Sequence, residues 1–304
     1  MAESSGTRVL VAGWFSFEPL GATAGDVQAR DLACSWLERA GVAYDVANAP
    51  ALASGLDWRA ANPDDYSHVV FVCGPAGRRP PLPELVERFA RCRLVGLDVS
   101  MDVPLAEWNP FEVLLERDSE RGARPDLAFG APAPVVPVIG VVLVPLQREY
   151  GERARHADAE VAIARLTTGR PCVAVAIDTA LTNDPDGRDP SAIRSPDEAE
   201  ALIARMDAVL TTRLHGLVLA LKAGVPVVAL DPVAGGAKVS RQAEAVGWPL
   251  VFTPEQLDPE RLDTALDHCL TEAARGEAAA CAQDAARSVE AIRRDFLRAV
   301  QASA

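Results

Sequence analysis

Short β-branched runs alternate along the chain with longer segments in which apolar residues recur at helical spacing. Residues 8–12 (RVLVA) predict a strand, followed by a glycine-bearing loop and a helix over about 26–40. In that helix Ala29, Leu32, Ala33, Trp36, Leu37 and Ala40 fall at i, i+3, i+4, i+7, i+8 and i+11, a single apolar stripe. Gly41 ends it, and 42–46 reads as a strand. Residues 68–73 (HVVFVC) form an unbroken apolar run, as a strand covered on both faces requires. A helix over 83–91 and strands over 94–97 and 113–115 follow. The proline-rich stretch 131–137 reads as a linker, and the alternation then restarts. It predicts a strand over 138–144, a helix over 156–166 and a strand over 172–177. Ser195-Pro196-Asp197-Glu198 is a helix start, with Ser at the cap, Pro in the first turn and acids next. A strand over 208–210, a helix over 213–223, a strand over 225–230 and a long Ala/Glu/Arg helical tail complete the chain.

Strands that alternate with helices on both sides of the linker predict an α/β protein of two Rossmann-like domains with parallel sheets. The domains are expected over 1–136 and 137–304, with no internal sequence repeat. Such sheets bind ligands at the carboxyl ends of their strands. A cleft between two of them is therefore the expected site.

Composition narrows the partners. With 49% hydrophobic and 24% charged residues, the chain can build large cores and is not a disordered one. A net charge of −13 argues against binding nucleic acid through general electrostatics, which needs a cationic surface. Lys222 and Lys238 are the only lysines, and the abundance of arginine reads as compositional bias rather than function. The start, MAESSGTR, lacks the basic-then-apolar pattern of a signal peptide. The longest apolar run, 131–146, is broken by four prolines and too short to be a transmembrane segment. A soluble, cytoplasmic protein is expected. The six cysteines are at least 12 residues apart and the four histidines are scattered, so no metal site is nominated. The thiols read as free and buried.

Three loops at predicted strand ends carry candidate chemistry. In 210–216 (LTTRLHG) a strand ends and a helix begins, capped by Thr211 or Thr212. Leu214, Leu217, Val218 and Leu221 form its buried stripe, and His215 stands one residue off it, beside Arg213. A helix amino terminus presents unpaired N–H groups and partial positive charge. An arginine there is unfavourable by about 0.3–1 kcal/mol unless an anion reverses the sign. Arginine, free amides and an imidazole together suggest a phosphate or carboxylate site with an acid–base residue. The competing reading pairs Arg213 with an acid such as Asp207 and bonds His215 to backbone; spacing alone does not choose. The second loop, 13–26, matches neither dinucleotide-binding nor ATP-binding glycine patterns. Gly25 in it permits close backbone approach, and capping the helix is the more ordinary role for Asp26. The third, 231–238, sets Lys238 beyond a Gly-Gly turn on the same rim as His215, as an anion contact or a solvated lysine.

These segments, in this order, resemble the polysaccharide pyruvyl transferase family. The strongest likeness is TTRLHGLVLALKAGVPVVALDP followed by Lys238. The family shows an Arg-Leu-His helix start, an Ala-Gly-x-Pro step into the next strand, then a lysine. Arg117-Asp118-Ser119 and 125–129 (PDLAF) resemble its mid-chain patterns, and Gly25-Asp26 resembles the pair closing its first loop. The likeness covers most of the chain, but only the Arg-Leu-His region is specific. Three departures stand out. Thr23 replaces a usual Asn. Cys73-Gly74-Pro75-Ala76-Gly77 stands where Gly-Gly-Gly is frequent. Val144 occupies a position often held by arginine; if that arginine holds the donor carboxylate, either Arg148 substitutes or the donor differs.

The resemblance implies a GT-B-like arrangement, with an acceptor-side first domain, a donor-side second domain and a C-terminal helix packing back on the first. It implies transfer of a pyruvyl group from phosphoenolpyruvate to two hydroxyls of a sugar or glycan acceptor, giving a cyclic ketal in cell-envelope polysaccharide or glycosylated-metabolite biosynthesis. His215 would be catalytic. Arg213, Leu214, Lys238, Arg148, Arg117, Gly25 and Asp26 would meet the substrates. No cofactor or metal is implied, phosphoenolpyruvate being a co-substrate, and the protein could sit peripherally on a membrane. Two rival readings remain: a nucleotide-sugar-dependent glycosyltransferase on the same fold, and a non-catalytic binding protein that keeps it.

Overall fold

The structure, a computed structural model, describes residues 6–19, 21–52, 55–132, 135–181, 189 and 192–301. The extreme amino terminus and positions 133–134 of the proline-rich stretch lie outside the described residues. The chain divides into two compact units, 1–133 and 134–304, so the boundary falls within that stretch and slightly before the expected 136/137.

The first unit contains β1 (Arg8–Gly13), α1 (Ala24–Arg39), β2 (Ala43–Val46), β3 (His68–Val72), β4 (Pro75–Ala76), α2 (Leu82–Arg88), β5 (Arg93–Leu97), β6 (Ser100–Met101), β7 (Val113–Leu115), β8 (Asp118–Ser119) and β9 (Gly122–Ala123). Its main sheet is parallel throughout, in the order β2-β1-β3-β5-β7. Successive residues of a strand point to opposite faces, so β1 feeds two cores. Val9 and Val11 pack with Phe15, Ala29 and Ala33 on one side. Leu10 and Ala12 pack with Phe71, Leu82, Leu85 and Phe89 on the other. This two-sided burial is why the strands read as unbroken apolar runs. A second small sheet, β4-β6-β8-β9, escaped the sequence reading, because two-residue strands are too short to show a period.

The second unit contains β10 (Val138–Val142), α3 (His156–Thr168), β11 (Val173–Ala176), α4 (Pro196–Ile203), β12 (Ala208–Thr211), α5 (Leu214–Lys222), β13 (Val227–Leu230), α6 (Lys238–Val246), β14 (Val251–Phe252), α7 (Pro259–Cys269) and α8 (Glu272–Gln301). Its sheet is also wholly parallel, in the order β11-β10-β12-β13-β14. Counted along each unit, both sheets run second-first-third-fourth-fifth, a repetition the sequence does not display. In that order the chain reverses direction between the first and third strands, where ligands bind in open α/β sheets. The two such points lie at β1/β3 and β10/β12. Helix α8 packs on α5, α6 and α7 of its own unit, burying Ala274 and Ala278. Its last turns expose Val289, Ile292 and Phe296.

All six cysteines are free, and Cys34, Cys73, Cys92 and Cys269 are buried. Burial pushes the Cys34 thiol up to about 11 and the Cys269 thiol to about 12. Among the described residues no helix is long and apolar enough to cross a membrane.

Candidate functional site

The reversal point of the second sheet is built around two buried threonines. Thr211 Oγ1 donates to the Val142 carbonyl at 2.8 Å and accepts the Arg213 N–H at 2.9 Å. Thr212 Oγ1 accepts the Val144 N–H at 2.9 Å. These bonds tie the carboxyl ends of β10 and β12 and fix where the chain leaves the sheet. The N-cap of α5 is consequently Arg213, in extended conformation and without a side-chain cap bond, rather than the expected Thr211 or Thr212. Leu214 begins the helix and is half-buried against the core beneath it. Gly216 lets this turn close on the strand, since a Cβ there would lie 2.2 Å from Thr211 Oγ1. That explains why a glycine follows the histidine.

Arg213 is held inward, its side chain only 16% exposed. Nη1 donates to Asp178 Oδ1 at 2.8 Å and to Thr179 Oγ1 at 3.0 Å. Nε is buried and has no partner among the described residues. The pairing anticipated with Asp207 does not form. Asp207 instead accepts the Val138 N–H at 2.8 Å and pairs with Arg275 at 3.1 Å. His215 is exposed on the first turn of α5, two residues beyond Arg213.

Two further loops reach the same edge of this sheet. Arg148 opens a short 3-10 segment, Arg148–Arg153, and is exposed. The end of that loop is clasped to the loop after β13. Arg153 Nε donates to the Ala234 carbonyl and Nη2 to that of Gly236, both at 3.1 Å, and the Arg155 N–H reaches Pro232 at 2.7 Å. Lys238, the first residue of α6, is exposed. Two amides of this turn are already taken: buried Asp231 accepts from the Ala237 N–H at 2.7 Å and the Ser240 N–H at 2.9 Å. Lys238 itself offers its ammonium. His156, at the start of α3, is 5% exposed, and neither ring nitrogen finds a partner among the described residues. A solitary histidine carries no sequence pattern that would single it out.

The candidates of the first unit are engaged internally. Thr23 caps α1, and Asp26 Oδ2 accepts from the Thr23 N–H at 2.7 Å and its hydroxyl at 2.9 Å, a reciprocal capping box. Thr, like Asn, caps helices well. A Cβ at Gly25 would make only an ordinary contact, 3.7 Å from Thr23 Oγ1, so the helix itself does not demand glycine. Arg117 spends all three nitrogens: on Asp126 at 2.7 Å, Ser100 at 2.6 Å and Asp118 at 3.4 Å. At the ends of β3 and β5, Cys73 and Asp98 both adopt left-handed backbone, with φ of 61° and 58°. The Cys73 thiol donates to Asp98 Oδ2 at 3.1 Å, which also accepts the Leu127 N–H at 3.1 Å. Burial pushes both groups up from their ordinary values. Glycine adopts such backbone freely, but neither residue here is glycine. Gly74 meets a steric demand, since a Cβ there would lie 2.1 Å from Trp14 Cδ1.

Among the described residues no three His, Cys, Asp or Glu side chains converge to hold a metal. An apolar groove of about 360 Å³ lies along the later turns of α5, between Leu217, Val246 and Val289. Neither Arg213 nor His215 lines it.

No curated protein matches the sequence. Among solved structures, the calicheamicin glycosyltransferase CalG4 is similar at 17% identity and a TM-score of 0.34, over 94% of this chain and 98% of that one. The spinosyn rhamnosyltransferase SpnG complexed with thymidine diphosphate gives 13% and 0.33, over 91% and 96%. The glycosyltransferase SnogD from Streptomyces nogalater gives 15% and 0.29, over 92% and 94%. Likeness this loose says nothing of activity. A family model matches a narrower stretch than the chain-long resemblance, leaving Gly25, Asp26, Arg117, Arg148 and Lys238 outside it. From the end of α3 to Pro232, residues 166–232, with Arg213, Leu214 and His215 among them, match the polysaccharide pyruvyl transferase family.

Proposed function

We propose that the chain is a pyruvyl transferase that takes phosphoenolpyruvate as donor and ketalises two hydroxyls of a sugar or glycan. The observation that carries the reading is the Arg213 guanidinium. It lies mostly buried at an uncapped helix start within the matched segment, its Nε unpartnered, with His215 exposed two residues on. Fixed positive charge beside free helix amides favours an anion, and a guanidinium edge takes a carboxylate or phosphate in bidentate fashion.

In the proposed reaction His215 donates a proton to C3 of the enol phosphate, which makes C2 electrophilic. One sugar hydroxyl bonds to C2 and returns its proton to His215. The bond from C2 to the phosphate oxygen breaks, and the second hydroxyl bonds to C2 as its proton leaves with phosphate. The products are a methyl-bearing cyclic ketal and inorganic phosphate, with no change of oxidation state. Acid–base catalysis of this kind contributes typically ~10²–10⁴-fold. Arg213 and Lys238 would stabilise the departing phosphate electrostatically, with Arg148 on the donor carboxylate. The same proposal gives the first unit, with Gly25, Asp26 and Arg117, to the acceptor in a GT-B-like arrangement.

The test pairs binding with chemistry. Phosphoenolpyruvate should raise the melting temperature, and acceptors incubated with it should gain the mass of pyruvate less one water as phosphate is released. A rise with UDP- or GDP-sugars alone would favour the glycosyltransferase reading. No rise with any donor would favour a binding protein.

A further inference from the structure

We infer that Asp178 and Thr179 are positioning residues that hold Arg213 by one nitrogen so that its opposite edge is presented to a single anionic group. The inference rests on the reading above, that Arg213 meets the anionic donor. A guanidinium carries five N–H donors in a planar fork. The two on Nη1 are taken, one by Asp178 Oδ1 and one by Thr179 Oγ1. Opposite Nη1 in that plane lies the Nε–Nη2 edge, which matches a carboxylate or phosphate with two parallel hydrogen bonds. Nε on that edge is buried and unpartnered among the described residues. A buried N–H that has left water and found no acceptor is costly, and an anion at this edge would repay that cost.

The holding pair is itself anchored. Asp178 follows Ile177, which is 3% exposed and donates its N–H to the Val141 carbonyl at 2.9 Å. Asp178 Oδ1 also accepts the Ala180 N–H at 2.9 Å, so the oxygen that grips Arg213 is fixed by its own turn. The carboxylate remains 69% exposed, so solvent screens its charge and leaves the guanidinium attractive to a second anion. Asp178 would thus act through orientation, and a carboxamide in its place should serve nearly as well.

The experiment compares Asp178→Ala and Thr179→Val with the conservative Asp178→Asn and Thr179→Ser in the full chain. The first readout needs no ligand: the ¹⁵Nε–H resonance of Arg213, assigned by its loss in Arg213→Lys. It should be resolved and slow to exchange in the wild type and both conservative variants, and averaged in Asp178→Ala and Thr179→Val. The second is calorimetric titration with phosphoenolpyruvate. Asp178→Ala and Thr179→Val should each bind roughly 10-fold more weakly and also lower kcat, because a displaced Arg213 no longer meets the departing phosphate. The conservative variants should stay within about 3-fold of wild type on the same ground. An unchanged Arg213 resonance in Asp178→Ala and Thr179→Val would overturn the inference, as would phosphoenolpyruvate affinity unchanged by either while Arg213→Lys abolishes it. If the resonances behave as stated but the wild type does not bind phosphoenolpyruvate, the positioning stands and the donor assignment falls.

Discussion

The two units share a strand order but satisfy the polar groups of their carboxyl rims differently. In the first, α1 starts on a reciprocal Thr23–Asp26 capping box, Arg117 is fully engaged, and the Cys73 thiol is bonded to Asp98. In the second, α3 and α5 start without side-chain caps, Arg213 keeps a buried unpartnered Nε, and His156 has two unpartnered ring nitrogens. Of its other helices, α4, α6 and α7 are closed from within, by Ser195, Asp231 and Asp258. A parallel sheet places loops at one edge whatever their sequence; whether that edge can take a ligand depends on which polar groups the chain has not already paired.

The contrast can be broken most decisively at His215. His215→Ala should lower kcat by about 10²–10⁴-fold while phosphoenolpyruvate affinity is retained, measured by phosphate release and by calorimetry. Wild-type rates in this variant would remove His215 from the reaction. Thr23→Ala should act oppositely, costing about 1 kcal/mol of stability through the lost cap. The urea midpoint should fall and phosphoenolpyruvate affinity should not move. If affinity falls as well, the first unit shares the donor site and the contrast dissolves.

Why some of this was legible and some was not follows from sequence distance. Strands β1, β3, β10 and β12 were predicted to within two residues at either end, because strands covered on both faces must be apolar throughout. The Arg213–His215 turn was visible because helix starts have local chemistry. Its partner was not. Asp207 was the natural guess from proximity, yet it precedes β12 while Arg213 follows it. At about 3.3 Å per residue, an extended strand carries the two to opposite edges of the sheet. Asp178 lies 35 residues away in sequence but follows β11, so it arrives at the same edge as Arg213. Pairings across parallel strands depend on strand order, which no local pattern encodes. The hydroxyls of Thr211 and Thr212 show the same limit: their bonds reach across to β10.

The smallest effect tests whether the first unit's internal pairing contributes to stability. Glu116, buried between β7 and β8, accepts from Arg121 Nε at 2.8 Å and Nη2 at 2.7 Å, and from Ser119 Oγ at 3.2 Å. The Arg121 fork holds this carboxyl down to about 2 from an ordinary value near 4.5. Between those values the unfolded chain binds the proton that the folded chain refuses, so the stabilisation is complete above about pH 5 and is lost as pH falls toward 2. The Arg121 side chain is half exposed, so solvent screening keeps the contribution of the pair small. Glu116→Gln should therefore lower the urea midpoint at pH 7, and more than half of its difference from wild type should be gone by pH 3, where the wild-type chain has largely lost the benefit of the charge. A difference that stays constant across that range would mean the site is held by packing and neutral hydrogen bonds. The pairing that distinguishes the first rim from the second would then owe little to charge.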